Sequence, residues 1–450
     1  MKKVLLLVLM IALAAVSAAC ADERPADGNA PAPAAKVHVA AGGSDETGDG
    51  SEESPYATPA FAAENAGAGS EVIVHEGTYG QFEINGLSGT EKEPVVFRAA
   101  DGEKAVIESV PGDESAGIHI VDSGNIVIDG FEVTGGTCGI YYESTPGVEG
   151  HPENITIRNC RVHGVRGVHG ICAYARNDRV PVRNLVLEGC EVYDCECGDS
   201  ESTVVNGNID GFTIRDNIIH DNDNIGIDMI GFEGTAEHRN GSGNPFDSDF
   251  VRNGECCGNV VYNISTEGND AYIEDGGYSL CAGGIYVDGG RDIKIHDNFV
   301  FSCDIGIEVA TEHSPDDNEL FRVSGIEVHD NVIAGCKGLC GLCFGGYDAD
   351  LGFTEDCIFR NNTLADNAVS VLVQRSRGNR IYDNIFSGTG EEIEYSDEIP
   401  PRDMDNEFAG NESSPDGKGL LDGFESLKEG KGSAFVPDDK YIKIYEETSR

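Results

Sequence analysis

NITIRNCRV (154–162), NLVLEGCEV (184–192), GFTIRDNII (211–219), DIKIHDNFV (292–300) and GIEVHDNVI (325–333) are versions of one phrase. A hydrophobic residue alternates with a polar one, and Asn or Cys follows a short step later. NIVIDGFEV (125–133), GNVVYN (258–263), DCIFRNNTL (356–364) and NRIYDNIF (379–386) are further copies. A second phrase is interleaved with the first. It reads GIYYE (139–143), GICAY (170–174), STVVN (202–206), GIDMI (226–230), GIYVD (284–288), GIEVA (306–310), GLCFG (341–345) and VSVLV (369–373). Period-2 hydrophobicity marks strands, and the Gly, Asp and Asn between them mark turns. Corresponding phrases recur roughly every 22 to 35 residues, apart from one long insertion. Two or three short strands per period are the signature of one coil of a solenoid. Connections this short hold no crossover helix, so the parallel sheets must form between successive coils. The expected fold is all-β: a single-stranded right-handed parallel β-helix.

Stacked coils place equivalent residues in columns, with rungs about 4.8 Å apart. One expected column is Cys160, Cys190, Asn217, Asn263, Asn298, Asn331, Asn362 and Asn384; a second is Cys195, Asn222, Cys303, Cys336 and Asn367. Stacked amides can hydrogen-bond along the axis, and Cys is a small, buryable replacement. Buried thiols are therefore the expected state of these cysteines. Cys195-x-Cys197 and Cys340-x-x-Cys343 lack a partner set at zinc spacing.

The remainder of the chain is read around this array. Lys2 and Lys3, an apolar run from Val4 to Ala15 and the small residues Ser17, Ala18 and Ala19 precede Cys20. Residues 1–20 thus read as a secretory signal of lipoprotein type, with Cys20 the lipidated first residue. Ser17 departs from the aliphatic residue usual in a lipobox. Residues 21–36 form an Ala/Pro-rich linker. The β-helix is expected over 37–390, and 391–450 form a polar C-terminal extension. Thr58 before Pro59 is an N-cap signal for a short helix capping the first coil. The expected location is the cell surface or periplasm, otherwise the medium.

The chain has 450 residues with 31 Lys+Arg and 80 Asp+Glu, a net charge of −49. That charge excludes a nucleic-acid partner, which needs a basic footprint. It leaves membrane contact to an N-terminal lipid alone. A monomer is expected.

The opening VHVAAGGSDETGDGSEESPYATPAFAAENA…VIVHEGTYG, with GGIYVDGGRDIKIHDN, IGIEVATEH and FGGYDADLGFTEDCIFRNNTL, resembles the secreted right-handed parallel β-helix proteins. That superfamily includes pectate lyases and related polysaccharide-active enzymes. The resemblance covers roughly residues 37–390. It implies a carbohydrate-active protein that cleaves glycosidic bonds of an acidic polysaccharide, by elimination or hydrolysis. A non-catalytic glycan-binding or structural surface protein is the alternative.

Alternation says which side chains leave the core. Asp228, Tyr286 and Glu308 should form one outward column, with Asp288 two residues along from Tyr286 and Glu312 and His313 just beyond. Strand spacing puts Asp228 about 9.6 Å and Asp288 about 8 Å from Glu308 at the backbone. The long insertion, 231–283, should wall this patch. Asp288, Glu308, Asp228 and His313 are the candidate catalytic residues. Two carboxylates of unequal pKa suit acid/base work on a glycosidic bond, and a separation of roughly 6.5–9.5 Å suits an inverting hydrolase. Alternatively, Asp228, Glu233 and Asp288 hold Ca²⁺, an oxygen-loving ion, that bridges to a uronate. His313, Arg291 or Arg375 would then act as base. Tyr286, Glu312, Arg291 and Tyr347 are the candidate substrate contacts. His220, His296 and His329 recur in register and read as outward surface residues.

Overall fold

The computed structural model describes residues 36–110, 116–150, 152–238, 243–274, 276–346, 352–388, 391–396, 405–414 and 432–448. The signal, Cys20, the linker to Ala35 and Tyr347 lie outside the described residues. Three parallel sheets, of sixteen, twelve and eleven strands among the described residues, run the length of the molecule. The chain visits them in rotation. One coil is Asp210–Arg215 in the first sheet, Ile218–Asn222 in the second and Ile227–Ile230 in the third. The next coil repeats the order with Arg252–Cys257, Val260–Ile264 and Gly283–Asp288. Phe212 pairs with Gly254, Ile218 with Val260 and Ile227 with Ile285. The fold is a right-handed parallel β-helix, the hand that parallel crossovers take. Its interior is a column of Ile, Val, Leu and Phe buried from Val37 to Phe386.

Each coil has three strands because the first phrase bends. Between its two hydrophobic pairs sits an Asp, Asn or Gly in the left-handed region: Asn159 (φ 53°), Asp216 (56°), Gly258 (66°), Asp297 (55°), Asp330 (55°) and Asp383 (56°). These types tolerate that conformation at least cost. The phrase is therefore two strands at a corner, not one. The second phrase begins with Gly for a steric reason. A Cβ on Gly139, Gly170, Gly284 or Gly306 would lie 2.4 to 2.6 Å from a Val or Ile methyl of the core. The chain turns there into the third sheet with no room for a side chain.

The Asn column forms, with one correction. Asn217, Asn259, Asn298, Asn331, Asn362 and Asn384 stack, each Oδ1 accepting the backbone N–H of the rung before, at 2.8–3.1 Å. Asn259 takes the place expected of Asn263. In GNVVYN it is the Asn after the turn glycine that aligns, whereas Asn263 (φ 52°) bonds Asp221 outside the core. Cysteines take the place of the amide at Cys160 and Cys190 in this column, at Cys195, Cys303 and Cys336 in the second column with Asn222 and Asn367, and at Cys357 beside Asn379. Each such thiol donates to the carbonyl two residues back, at 3.2–3.7 Å for Cys160, Cys190, Cys195, Cys303, Cys336 and Cys357. All fourteen described cysteines are free thiols.

Helix Pro59–Asn65 packs on the first coils. The Thr58 hydroxyl accepts the Phe61 N–H (3.1 Å) and donates to Asp45 (2.8 Å). At the far end, strands Glu407–Ala409 and Glu412–Ser414 prolong the first and second sheets beyond residue 390. Helix Asp439–Thr448 covers the outer face of the second sheet, with Tyr445 buried against Phe299 and Phe301. Among the described residues no helix is long and apolar enough to cross a membrane.

Candidate functional site

The outer face of the third sheet carries the expected column. Val204 pairs with Asp228, Asp228 with Tyr286, and Tyr286 with Glu308. Asp288 lies two residues along from Tyr286, opposite Ala310. These side chains leave the core but do not reach open solvent. Asp228 is 2 % exposed, Asp288 4 %, Tyr286 5 % and Glu308 8 %.

Loops from the adjacent coils cover them. The first part of the insertion folds back through Phe232, Phe246 and Phe250, which pack on Leu320 and Phe321 of the 311–322 loop. Asn244 and Asn318 exchange amide hydrogen bonds at 2.6 and 2.9 Å across the same contact. Asp249 braces the turn by accepting from Gly234 (2.7 Å) and Ala236 (2.6 Å). The second part, after Ile264, runs through Tyr272, whose hydroxyl accepts from Asn224 (3.0 Å), and is tied to the sheet corner by Asp304. Together these loops make a cleft over the column.

The cleft is crowded with acid. Burial, then the charge of Glu312, pushes the Glu308 carboxyl up to about 8. Burial, with Glu312 and Glu233 behind it, pushes Glu201 up to about 8 as well. Asp228 is raised by burial and then by Glu201, Asp288 and Glu312. Asp288 is raised by burial and then by Glu312 and Glu233. Glu312 stands at the mouth with one side exposed; the protein packed round its carboxyl, and then the Glu233 charge, still raise it. His313 is drawn into the same field. Burial works to lower its pKa, but the 2.7 Å bond to Glu233 and the charges of Glu233, Glu312 and Asp249 raise it overall. Among the described residues no Lys or Arg forms an ion pair with Glu201, Asp228, Asp288, Glu308 or Glu312.

The carboxyls differ in support. Asp288 accepts the Glu312 backbone N–H (3.2 Å), which favours its ionised form. One oxygen of Asp228 is buried with no hydrogen-bond partner. The cleft therefore holds a carboxyl poised to stay protonated at neutral pH (Glu308), a second raised carboxyl that accepts a backbone N–H (Asp288), and an orphaned oxygen (Asp228).

The structure thus brings Asp228, Glu233, Tyr286, Asp288, Glu308, Glu312 and His313 together. Arg291 is not among them. It leaves the first sheet, stacks on Phe232 and Phe250 and donates to the Leu320 carbonyl (2.6 Å), so it braces the cleft wall from behind. Arg375 is held by Ser314 and Asp316. Neither is free to act as a base. Glu201, Asp249 and the neutral His169 are members the sequence reading missed. Burial lowers His169 to about 4, and its ring bonds the Glu201 carbonyl (2.7 Å) and the Tyr174 hydroxyl (2.9 Å). Glu201 was within reach of the alternation rule: it precedes STVVN, on the rung after His169.

The fold is a parallel β-helix of the pectate-lyase-like kind. The chain is 34 % identical to the uncharacterized protein YwoF of Bacillus subtilis over 376 residues, 78 % of this chain and 74 % of that one, and it belongs to the same family. Residues 237–419 match the family described as periplasmic copper-binding protein (NosD). Pectate lyase PEL9 of Emericella nidulans is 27 % identical over 196 residues, 39 % of this chain and 46 % of its own. Among solved structures, pectate lyase Pel9A is similar with 14 % identity, coverage of 80 % of this chain and 77 % of its own, and a TM-score of 0.45. The A-module of the mannuronan C-5 epimerase AlgE6 of Azotobacter vinelandii has 16 % identity, 79 % and 93 % coverage, and a TM-score of 0.44.

Proposed function

We propose that the chain is an exported carbohydrate-active protein that acts on the glycosidic bonds of an acidic polysaccharide. The observation that carries this reading is the cleft: Glu201, Asp228, Asp288, Glu308 and Glu312 are gathered under loops with no Lys or Arg ion pair among the described residues. Burying like charges without a counter-charge is costly. A site built this way is suited to hold a proton on one carboxyl and a cation among the others.

Glu308, protonated at neutral pH, is the general acid that donates to the leaving glycosidic oxygen. Asp288 accepts the Glu312 N–H and becomes the ionised partner once a cation or substrate offsets the burial and neighbouring charges that raise it. Its backbone lies about 8 Å from that of Glu308. That carboxylate takes a proton from water in hydrolysis, or from the sugar carbon beside a uronate carboxyl in elimination. Tyr286 lies between the carboxylates of its column and offers a sugar contact. Tyr347 would be a second, from outside the described residues.

Calcium fits the donor set. The cleft offers hard carboxylate oxygens, and the buried, unpartnered oxygen of Asp228 lacks what an ion would supply. Asp228 and Asp288 would hold the ion, with Glu312 at the mouth. Glu233 is engaged by His313, which leaves it at the edge of the set. Bound Ca²⁺ would neutralise the cleft and draw in an anionic sugar that a protein of net charge −49 otherwise repels.

A non-catalytic binding protein is the second reading, favoured by the description of the family that residues 237–419 match, which names a binding protein and not an enzyme. Export is supported by the same description and by the basic–apolar–small start ending at Cys20. Lipidation there predicts a mature N-terminus at a modified Cys20 by mass spectrometry; an unmodified first residue removes the anchor. The enzyme reading is tested by incubating the protein with a panel of uronate-containing polysaccharides, with Ca²⁺ and with chelator. New unsaturated ends mean elimination, and reducing ends alone mean hydrolysis. Binding without either product would leave the second reading standing.

A further inference from the structure

A second cluster lies on another face, away from the acidic cleft. On the outer surface of the first sheet, Glu255, Cys257 and His296 each present one ligand atom, and these atoms all lie within 4.8 Å of one another. All three residues are half-buried. Cys257 and His296 are register partners on adjacent strands.

The repeat shows why this rung is unusual. The phrase His-Asp-Asn occurs at 296–298 and 329–331 at the same corner of the first sheet, and at 220–222 in the second sheet, where His220 pairs with Tyr262 and is out of register with the other two. In each copy the ring Nδ1 bonds the following Asp: Asp221 (2.6 Å), Asp297 (2.7 Å) and Asp330 (2.8 Å). That bond fixes the ring and turns Nε2 away from the corner. At residues 257–259 the phrase reads Cys-Gly-Asn, so a thiol occupies the position that the next two rungs fill with imidazole. The Nε2 of His296 consequently faces Glu255, at 2.8 Å from its Oε1, with the Cys257 sulfur beside them.

We infer that Glu255, Cys257 and His296 form a binding site for a late first-row transition-metal ion such as Zn²⁺. The donor types match. Thiolate and imidazole together select such ions over Ca²⁺ or Mg²⁺, which prefer oxygen. An imidazole whose second nitrogen is bonded to a carboxylate is the usual arrangement of a metal-ligating histidine, and Asp297 supplies that carboxylate here. A tetrahedral Zn²⁺ with ordinary bond lengths holds its donors roughly 3.5 Å apart, so side-chain rotations of about an ångström close the site. The charges balance as well: a thiolate and a carboxylate neutralise a divalent ion, and the thiol proton leaves to solvent. Arg215, one rung back from Cys257, is already held by Glu188. Lys294, the register partner of Glu255, is the cation that the incoming ion must tolerate. Three protein donors leave a fourth position for water or an exchanging ligand, the pattern of an open site.

The test is a titration of the purified full-length protein with Co²⁺, the spectroscopic stand-in for Zn²⁺. One equivalent should produce a thiolate-to-metal charge-transfer band in the near ultraviolet, and Zn²⁺ should abolish it. Cys257→Ser should remove the band, and His296→Gln should weaken Co²⁺ binding at least tenfold while a band remains at saturation. Cys281→Ser, which removes the other half-buried thiol, and Glu308→Gln in the cleft should leave the titration unchanged. The inference is overturned by a wild-type protein that shows no band. A band that survives Cys257→Ser, or a His296→Gln protein that binds as tightly as wild type, overturns it equally. A far-ultraviolet spectrum and melting curve of each variant check that the coils remain folded, and the result for Glu308→Gln keeps this site separate from the cleft.

Discussion

Replacing Asn331 by alanine should be among the most destabilising single changes in the helix. The side chain is fully buried. Its Oδ1 accepts the Asn298 backbone N–H (3.1 Å) and the Asn298 side-chain amide (2.9 Å). Its Nδ2 donates to the Ile295 carbonyl (2.9 Å) and to Asn362 Oδ1 (3.0 Å). Asn362 Oδ1 keeps a second donor, the Asn331 backbone N–H, after the change. The two Asn298 donors lose their acceptor in a dry core. Each orphaned buried donor costs about 1–3 kcal/mol, so Asn331→Ala should cost about 4 kcal/mol. Asn331→Cys should cost less, because cysteine is a small, buryable residue that already occupies this column at Cys160 and Cys190. Solenoids do not unfold as one unit. The assay is therefore urea denaturation together with hydrogen exchange at the Asn298 amide, which reports the damaged rung itself. A loss below about 1 kcal/mol for the alanine variant, with Asn298 still protected, would refute the claim that the amide column holds the coils in register.

Three further outcomes are expected of the same molecule. Asp288→Asn and Glu308→Gln should each abolish product formation in the polysaccharide assay while leaving the melting temperature at neutral pH unchanged or higher, since each removes a buried acid from a crowded cleft; full activity in both moves the chemistry elsewhere. Glu201 and Glu308 titrate near 8 when folded against an ordinary 4.5, so the folded state holds protons that the unfolded chain has lost. Stability without divalent cations should thus be complete below about pH 4.5, fall as pH rises from there to about 8 and level off above, and Ca²⁺ or Glu308→Gln should flatten the fall; a melting temperature independent of pH over that window contradicts it. Cys257 and Cys281 are half-buried and the other twelve described cysteines buried, so a thiol reagent should label two sites in the native protein and fourteen after denaturation without reductant, aside from Cys20; two-site labelling in both states would mean the remainder are oxidised.

The coil architecture was legible because it is a one-dimensional pattern. A column forms wherever the hydrophobic alternation repeats, and the Asp228–Tyr286–Glu308 column needed only that rule. The three-strand coil was not legible from hydrophobicity. Its corner depends on left-handed φ at Asp216, Asp297 and Asp330, a backbone property that Asp shares with ordinary turns. The Asn259 slip has a similar origin: GNVVYN offers two asparagines, and register alone tells them apart. Arg291 was misplaced because a loop, not a rung, decides its surroundings. The phenylalanines that capture it come from residues 232 and 250, and no periodicity links them.

The same distinction explains why the cleft residues look unremarkable in sequence. Alternation sorts side chains into core and exterior, and an exterior Asp in a chain of net charge −49 is expected to be solvated. Asp228 and Asp288 are exterior by that rule and yet buried. The cover comes from insertions that break the repeat, so the repeat says where a side chain points but not what lies above it. An acid on the outside of a regular coil is unremarkable; an acid beneath an irregular loop has lost its water and must find a proton, a cation or a substrate instead. The Glu255–Cys257–His296 cluster differs in kind, because its distinction is a change of donor type at one rung of a regular column. Two departures from the repeat, one in length and one in chemistry, therefore set the two proposed sites apart from the regular coils.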